Sequence, residues 1–216
     1  KRPIFWDSFN FISLLLLPFS LIIIIFNFFK SLSPKKYFKI KTICVGNIYL
    51  GGTGKTSLSI KINEILNEKK VKCCFIKKDY VGQTDEQKIL ENKGKLFKSY
   101  KRINALKEAI SNNYQVAILD DGLQDPSINY DLKFICFNTI NWIGNGLVIP
   151  AGPLRENLKN LKKYKHVFLI GNMENLENIK KIIFKINPKI NIYIGEYKLS
   201  NVSEFNLQEK FIVFSG

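Results

Sequence analysis

The sequence predicts an α/β fold in which a parallel sheet carries helices on both faces. Short apolar segments, typical of buried strands, alternate with amphipathic segments of helical length. A glycine-rich loop follows the first apolar segment of this series, and a pair of aspartates follows a later one. Parallel sheets bind ligands at the carboxyl ends of their strands, so both features lie where a site is expected.

The predicted elements follow one another in a regular order. Strands are predicted at 41–45, 71–76, 116–119, 132–137, 167–170 and 190–194, and helices at 56–68, 85–91, 103–112, 156–163 and 176–186. We expect a membrane-anchoring segment at 1–38, a core domain at 39–165 and, at 166–216, the start of a smaller, truncated C-terminal α/β lobe. The sequence begins without Met and ends just after an apolar run, so we expect a fragment.

The N-terminal segment 9–29 contains no charged residue and is long enough to cross a bilayer, which takes about 20 residues. Pro18 would kink such a helix or break it into a re-entrant hairpin, so both a span and a monotopic insertion into one leaflet stay open. More lysines follow the segment than basic residues precede it, which places the next domain in the cytoplasm. The run is too long for a cleaved signal peptide.

The charge of the chain indicates the chemistry of its partner. The formal net charge of +15 indicates an anionic partner, although Lys, Asn and Ile are abundant throughout the chain and part of the charge reflects that bias. No nucleic-acid-binding module is recognisable, so we expect no nucleic acid partner.

Four cysteines lie in apolar segments without metal-ligand spacing, which favours buried, reduced thiols; they are Cys44, Cys73, Cys74 and Cys136.

The glycine-rich loop at 46–56 reads GNIYLGGTGKT and lies between a predicted strand and a predicted helix, the setting of a phosphate-binding P-loop. Its backbone N–H groups would surround a phosphate of ATP. Lys55 would reach the β- and γ-phosphates, and the Thr56 hydroxyl would ligate Mg²⁺. Tyr49 departs from the strict pattern, which has glycine there. The predicted nucleotide-binding residues are Gly51, Gly52, Thr53, Gly54, Lys55 and Thr56.

Asp120 and Asp121 directly follow the apolar run at 116–119. A carboxylate at the end of a strand beside a P-loop is typical of a metal-positioning residue. Two adjacent acids repel each other unless a cation holds them, and Mg²⁺ prefers oxygen ligands. We therefore predict a metal site formed by Thr56, Asp120 and Asp121. A strand-ending turn is the alternative.

In order along the chain, these segments resemble the lipid A 4'-kinase (tetraacyldisaccharide 4'-kinase) family. The similar segments are 3–6 with 17–20, 45–56, 120–124, 150–156 and 214–216. The resemblance implies a P-loop NTPase-like kinase that transfers the γ-phosphate of ATP, with Mg²⁺, to the 4'-hydroxyl of a tetraacyl disaccharide 1-phosphate. It places the enzyme at the bacterial inner membrane, facing the cytoplasm, with an anionic glycolipid substrate and membrane lipids as partners, which gives the basic charge a purpose.

The resemblance also implies roles for Arg155 and Asp85. Arg155 would clamp a phosphate, and Asp85 would activate the sugar hydroxyl as a general base. A surface arginine and a helix cap are the respective alternatives. The expected catalytic set is Asp85, Lys55, Asp120, Asp121 and Arg155. The chain departs from the family at Asp125, where the family usually has His, and at 78–82, where the family has Arg-Gly-Tyr-x-Gly.

Three other classes of protein share some of these features. A membrane-associated P-loop ATPase of the partitioning type has a signature lysine where this chain has Leu50. A GTPase is suggested by residues 92–95, but Lys95 stands where an aspartate would read the guanine. A non-enzymatic basic membrane-binding module would account for the charge and the apolar segment. It would not account for the loop and the aspartates.

Overall fold

The computed structural model describes residues 2–79 and 84–197. The strands are β1 (Lys41–Gly46), β2 (Cys73–Lys78), β3 (Leu96–Ser99), β4 (Val116–Asp120), β5 (Leu132–Asn138), β6 (His166–Ile170) and β7 (Asn191–Gly195). The α-helices are α1 (Phe11–Ser31), α2 (Lys55–Glu68), α3 (Thr84–Glu91), α4 (Arg102–Ser111) and α5 (Leu176–Ile186), and short 3₁₀ helices span Ile4–Trp6 and Leu158–Lys163.

In this described part of the chain the strands form one seven-stranded sheet in the order β3-β2-β4-β1-β5-β6-β7. All its pairings are parallel. Adjacent residues of β1 point to opposite faces: Cys44 packs in the cluster that includes α4, and Val45 in the cluster that includes α2 and α3. The α5 helix packs on Ile135 and Phe137, on the α4 side. The predicted fold, a parallel sheet covered on both faces, is confirmed.

Most element predictions are confirmed to within a few residues, and two are wrong. The strand β3 was missed because only Leu96 and Phe97 of its four residues are buried. The predicted strand 71–76 ends before Lys77, but β2 continues through this residue to Lys78. A buried lysine at a strand end has no apolar signal, and its place depends on carboxylates from elsewhere in the chain.

The predicted domain boundary between 165 and 166 falls between two strands of the same sheet. The β6 strand pairs with β5 from Phe134↔His166 onward, and β7 pairs with β6. The division into a core and a smaller lobe stays a prediction. Residues 80–82 of the divergent family segment, the apolar run at 211–214 and the segment 214–216 all lie outside the described residues.

The four cysteines are buried and unpaired, as predicted. Burial disfavours the thiolate and raises the pKa of Cys44 and of Cys74 to about 12. These thiols therefore behave as small core residues of the sheet rather than as nucleophiles.

The N-terminal apolar segment forms one continuous helix with Pro18 inside it, so the alternative in which Pro18 breaks the segment into a re-entrant hairpin is wrong. Three polar residues of α1, spaced seven apart, face the rest of the protein. Ser20 Oγ donates to the Val148 carbonyl at 2.7 Å and accepts from the Ala151 amide at 3.2 Å. Asn145 donates to Ser13 Oγ, and Asn27 donates to the Arg155 carbonyl, both at 3.1 Å. These bonds attach the helix to the rest of the protein both before and after Pro18.

The opposite face of α1 is exposed and apolar, and it includes Phe19, Ile22 and Phe26. By length and composition α1 is the one helix among the described residues that could cross a membrane. The helix therefore has a polar, docked face and an apolar, uncovered face.

Candidate active site

The glycine-rich loop runs from the end of β1 to the start of α2 and is organised by the buried side chain of Asn47. Its Nδ2 donates to the Tyr49 carbonyl at 2.6 Å, to Thr53 Oγ1 at 3.0 Å and to the Gly51 carbonyl at 3.3 Å. One amide thus fixes the path of the loop. Sequence reasoning did not single out Asn47, because no spacing rule marks a side chain that supports a loop from beneath.

Gly54 ends the loop in the left-handed conformation, with φ of 73°, as the N-cap of α2. A side chain there would be strained, and its Cβ would meet Ile170 Cγ2 at 2.9 Å. The first residues of α2 are Lys55 and Thr56, both partly buried, with the positive end of the helix directed at the loop. The strand–loop–helix order that the sequence predicts is present.

Asp120 ends β4 beside the loop and is fully buried. Its Oδ2 lies 3.5 Å from Thr56 Oγ1 and its Oδ1 lies 3.5 Å from Ser59 Oγ. Lys77 donates to Oδ2 at 2.8 Å. The structure thus joins Thr56 and Asp120 as predicted and adds Ser59 and Lys77, which sequence reasoning missed.

Lys77 bridges Asp120 and Glu86, which lies in the first turn of α3. Burial opposes the charged ammonium, but the Asp120 and Glu86 carboxylates outweigh it and raise the pKa of Lys77. Asp85, the predicted base, lies exposed beside Glu86 in the same helical turn. Its role stays a prediction.

Asp121 turns away from Asp120, with φ of 54°. Its Oδ1 accepts from Arg155 Nη1 at 2.7 Å, and its carbonyl accepts from Arg102 Nη2 at 2.6 Å. Burial opposes ionisation, but Lys55, Arg155 and Arg102 outweigh it and lower the pKa of the Asp121 carboxyl. The two aspartates therefore have different partners, and none of the described hydrogen bonds joins Asp121 to Thr56.

Arg155 is brought to the loop by backbone pairing between the segments 48–50 and 153–155. The Arg155 amide donates to the Ile48 carbonyl at 2.7 Å, and the Leu50 amide donates to the Pro153 carbonyl at 2.8 Å. Arg155 Nη1 also donates to Gln124 Oε1 at 2.9 Å, and Gln124 Nε2 donates to the Asn47 carbonyl at 2.9 Å. These contacts connect three motifs that are far apart in the sequence.

The donor set at Thr56 and Asp120 fits Mg²⁺. It offers hydroxyl and carboxylate oxygens, which Mg²⁺ prefers. Within residues 2–79 and 84–197 no group of three or more His, Cys, Asp or Glu side chains could hold a metal alone.

A cleft of about 960 Å³ is lined by Asp121 and Arg155 and by Leu50 of the glycine-rich loop. The helix α1 contributes the apolar Ile23 and Phe26 and the polar Asn27 and Lys30 to the lining of the same cleft. Such a cleft can hold an amphiphile, with apolar groups along α1 and a polar group near the P-loop.

The segment 92–95, which suggested a GTPase, lies on the wrong side of the sheet. It precedes the amino end of β3, and β3 runs parallel to β2. The P-loop follows the carboxyl end of β1 at the opposite edge. These four residues therefore cannot read the base of a nucleotide bound at the P-loop.

The fold and this edge of the sheet define a nucleotide-binding domain of the P-loop class. Comparison with known proteins narrows the class. The family model described as LpxK, tetraacyldisaccharide-1-P 4'-kinase, matches residues 12–215. The chain belongs to this family of kinases, as its sequence motifs predicted.

Curated relatives agree with this assignment, and a solved structure is similar in fold. The chain is 57% identical to a tetraacyldisaccharide 4'-kinase of Pelagibacter ubique (strain HTCC1062), over 100% of this chain and 69% of the relative. It is 33% identical to that of Rickettsia typhi (strain ATCC VR-144 / Wilmington), over 99% and 70% of the two chains. LpxK from Aquifex aeolicus, solved in complex with ATP, is similar in fold, with a TM-score of 0.64, 18% identity and coverage of 86% and 82%.

Proposed function

We propose that the protein transfers the γ-phosphate of ATP, with Mg²⁺, to the 4'-hydroxyl of a tetraacyl disaccharide 1-phosphate at the cytoplasmic face of the bacterial inner membrane. One observation carries the proposal: the apolar side chains of Ile23 and Phe26 of α1 line the same cleft as Arg155 and Leu50 of the glycine-rich loop. A soluble phosphate acceptor would not need these apolar side chains. The names of the relatives support the same reaction.

The chain's own residues divide the work of phosphoryl transfer. Lys55 and the loop amides would hold the β- and γ-phosphates, while Thr56 and Asp120 would hold Mg²⁺, which neutralises phosphate charge when bound. Arg155 Nη1 is engaged by Asp121 and Gln124. A guanidinium carries five N–H donors, so its other nitrogens are left to contact the transferring phosphate.

Asp85 is proposed to accept the proton of the sugar hydroxyl. It is exposed, and its helix is attached to the sheet through the neighbouring Glu86 and Lys77. A general base must lie within hydrogen-bond reach of the proton it accepts, and the exposed position leaves room for a sugar ring.

The contacts of α1 favour monotopic insertion over a span. Ser13, Ser20 and Asn27 bond to the domain along the length of the helix. If α1 crossed the bilayer, these three polar side chains would be separated from their partners in the domain. We therefore propose that α1 lies in one leaflet with Phe19 and Ile22 in the acyl region, while exposed lysines that follow it contact anionic headgroups.

The test is phosphate transfer by purified protein in detergent, with labelled ATP, Mg²⁺ and the disaccharide 1-phosphate. We expect label in the lipid, and its loss in Lys55→Ala. Lys61→Ala is the matched control, because Lys61 is an exposed lysine on the same helix, paired with Glu64. Hydrolysis of ATP without label in the lipid would contradict the proposal and favour a P-loop ATPase of the partitioning type.

A further inference from the structure

Lys77 is a buried lysine that the proposed reaction does not use. Its side chain is 3% exposed, and it lies between the fully buried Asp120 and the half-exposed Glu86. The strand β2 pairs directly with β4, with Ile76 opposite Leu119, so the next residue along each strand brings Lys77 beside Asp120. The fold itself therefore sets this ion pair.

The ammonium group of Lys77 is bonded to Asp120 Oδ2, the carboxylate oxygen that we expect to bind the metal ion. Lys77 Nζ donates to Asp120 Oδ2 at 2.8 Å, and the same Oδ2 is the atom that faces the Thr56 hydroxyl at 3.5 Å. A fully buried carboxylate without a cation is strongly unfavourable. Lys77 supplies the cation from within the chain.

Lys77 also ties the metal-binding edge to α3. Its second partner, Glu86, stands next to Asp85 in the first turn of that helix. A further contact, from Gln87 Nε2 to Asp79 Oδ1 at 3.4 Å, joins the same turn to the end of β2. Lys77 and Gln87 thus connect Asp120 and the end of β2 to the helix that carries the proposed base.

We propose that Lys77 is a positioning residue that holds Asp120 and the first turn of α3 together, and that a divalent cation bound at Thr56 and Asp120 competes with its ammonium group. Two cations cannot share Asp120 Oδ2 without mutual repulsion, and Glu86 is placed to keep Lys77 paired when a metal binds. The inference rests on the proposed function, because it takes the nucleotide–metal site as given.

The test measures Mn²⁺ binding by electron paramagnetic resonance, in purified protein with an ATP analogue whose γ-phosphate cannot be transferred. Lys77→Met and Lys77→Gln remove the charge, and the glutamine keeps an N–H donor near Asp120 should the methionine variant fail to fold. We expect both to bind Mn²⁺ about tenfold more tightly than the unmodified protein, because a like charge has left the site. In the transfer assay the KM for Mg²⁺ should fall, because the competing charge is gone. The kcat should also fall, because α3 loses the contact between Glu86 and Lys77.

Lys98→Met is the matched control, because Lys98 pairs with Glu91 at 2.8 Å and ties the other end of α3 to the sheet. Its Mn²⁺ affinity should not change. Equal or weaker Mn²⁺ binding by both Lys77 variants, or equal tightening in Lys98→Met, would overturn the inference alone. Failure of the unmodified protein and both Lys77 variants to bind Mn²⁺ with the analogue would overturn the proposed function as well.

Discussion

Replacing Asn47 by alanine should damage both the stability of the fold and the affinity for nucleotide. The substitution removes one amide that bonds to the Tyr49 carbonyl, the Thr53 hydroxyl and the Gly51 carbonyl. A buried group that loses its hydrogen-bond partner costs about 1–3 kcal/mol. The Asn47 Oδ1 atom is itself buried without a described partner, so its removal offsets part of the loss. We expect a net destabilisation of about 2–3 kcal/mol.

The destabilisation should appear mainly as disorder of the loop. If about 2 kcal/mol is lost from the ordering of the phosphate-binding conformation, nucleotide affinity falls by up to about 30-fold. Equilibrium titration with a fluorescent ATP analogue measures this, with denaturant unfolding in parallel. Asn112→Ala is the matched control, because the side-chain amide of Asn112 donates an exposed hydrogen bond to the Glu108 carbonyl at the end of α4. Nucleotide affinity equal to that of the unmodified protein would refute the reasoning.

Three further predictions follow from other contacts. Ser20→Leu should detach α1, because a larger side chain cannot occupy the buried site and both hydrogen bonds between Ser20 and the domain are lost. Limited proteolysis should then cut α1 faster, and unchanged cleavage would contradict the docking. Arg155→Lys should lower kcat/KM about tenfold or more. A lysine lacks the planar guanidinium group that can bond to Asp121, Gln124 and a phosphate at once. Full activity of this variant would contradict the proposed role of Arg155. Burial opposes the ionisation of Asp131, but hydrogen bonds from Thr42 and the nearby Lys41 outweigh it and lower the pKa of Asp131 below the ordinary 3.8. Its side chain is 43% exposed, so solvent screening limits the resulting stabilisation to a fraction of about 1 kcal/mol. This stabilisation is present above pH 3.8 and is lost as the pH falls through the lowered pKa. Asp131→Asn should therefore show a smaller loss of stability below pH 3.8 in acid titrations followed by circular dichroism.

The sequence predicts the fold well wherever one local pattern determines an element. The apolar runs of β1 and β4 predict buried parallel strands, and the order of strand, glycine loop and helix predicts the P-loop. The strand β3 could not be found this way, because its place depends on pairing with β2 rather than on its own four residues.

The candidate site was predicted less completely, for the same reason. Asp120 and Thr56 lie on elements that carry recognised patterns, so their proximity followed from the topology. Lys77 and Arg102 are basic residues in a strongly basic chain, and only their burial against carboxylate and carbonyl oxygens distinguishes them. Burial of a lysine depends on partners distant in sequence, and residue patterns do not encode it.

The most direct test of the central claim is the position of the transferred phosphate. Product made from ATP, Mg²⁺ and the disaccharide 1-phosphate can be examined by ³¹P nuclear magnetic resonance. We predict a second phosphate monoester, coupled to the proton at the 4' position of the distal sugar and missing from the product of Lys55→Ala. A diphosphate signal at the existing 1-phosphate, or a product formed equally by Lys55→Ala, would contradict the account.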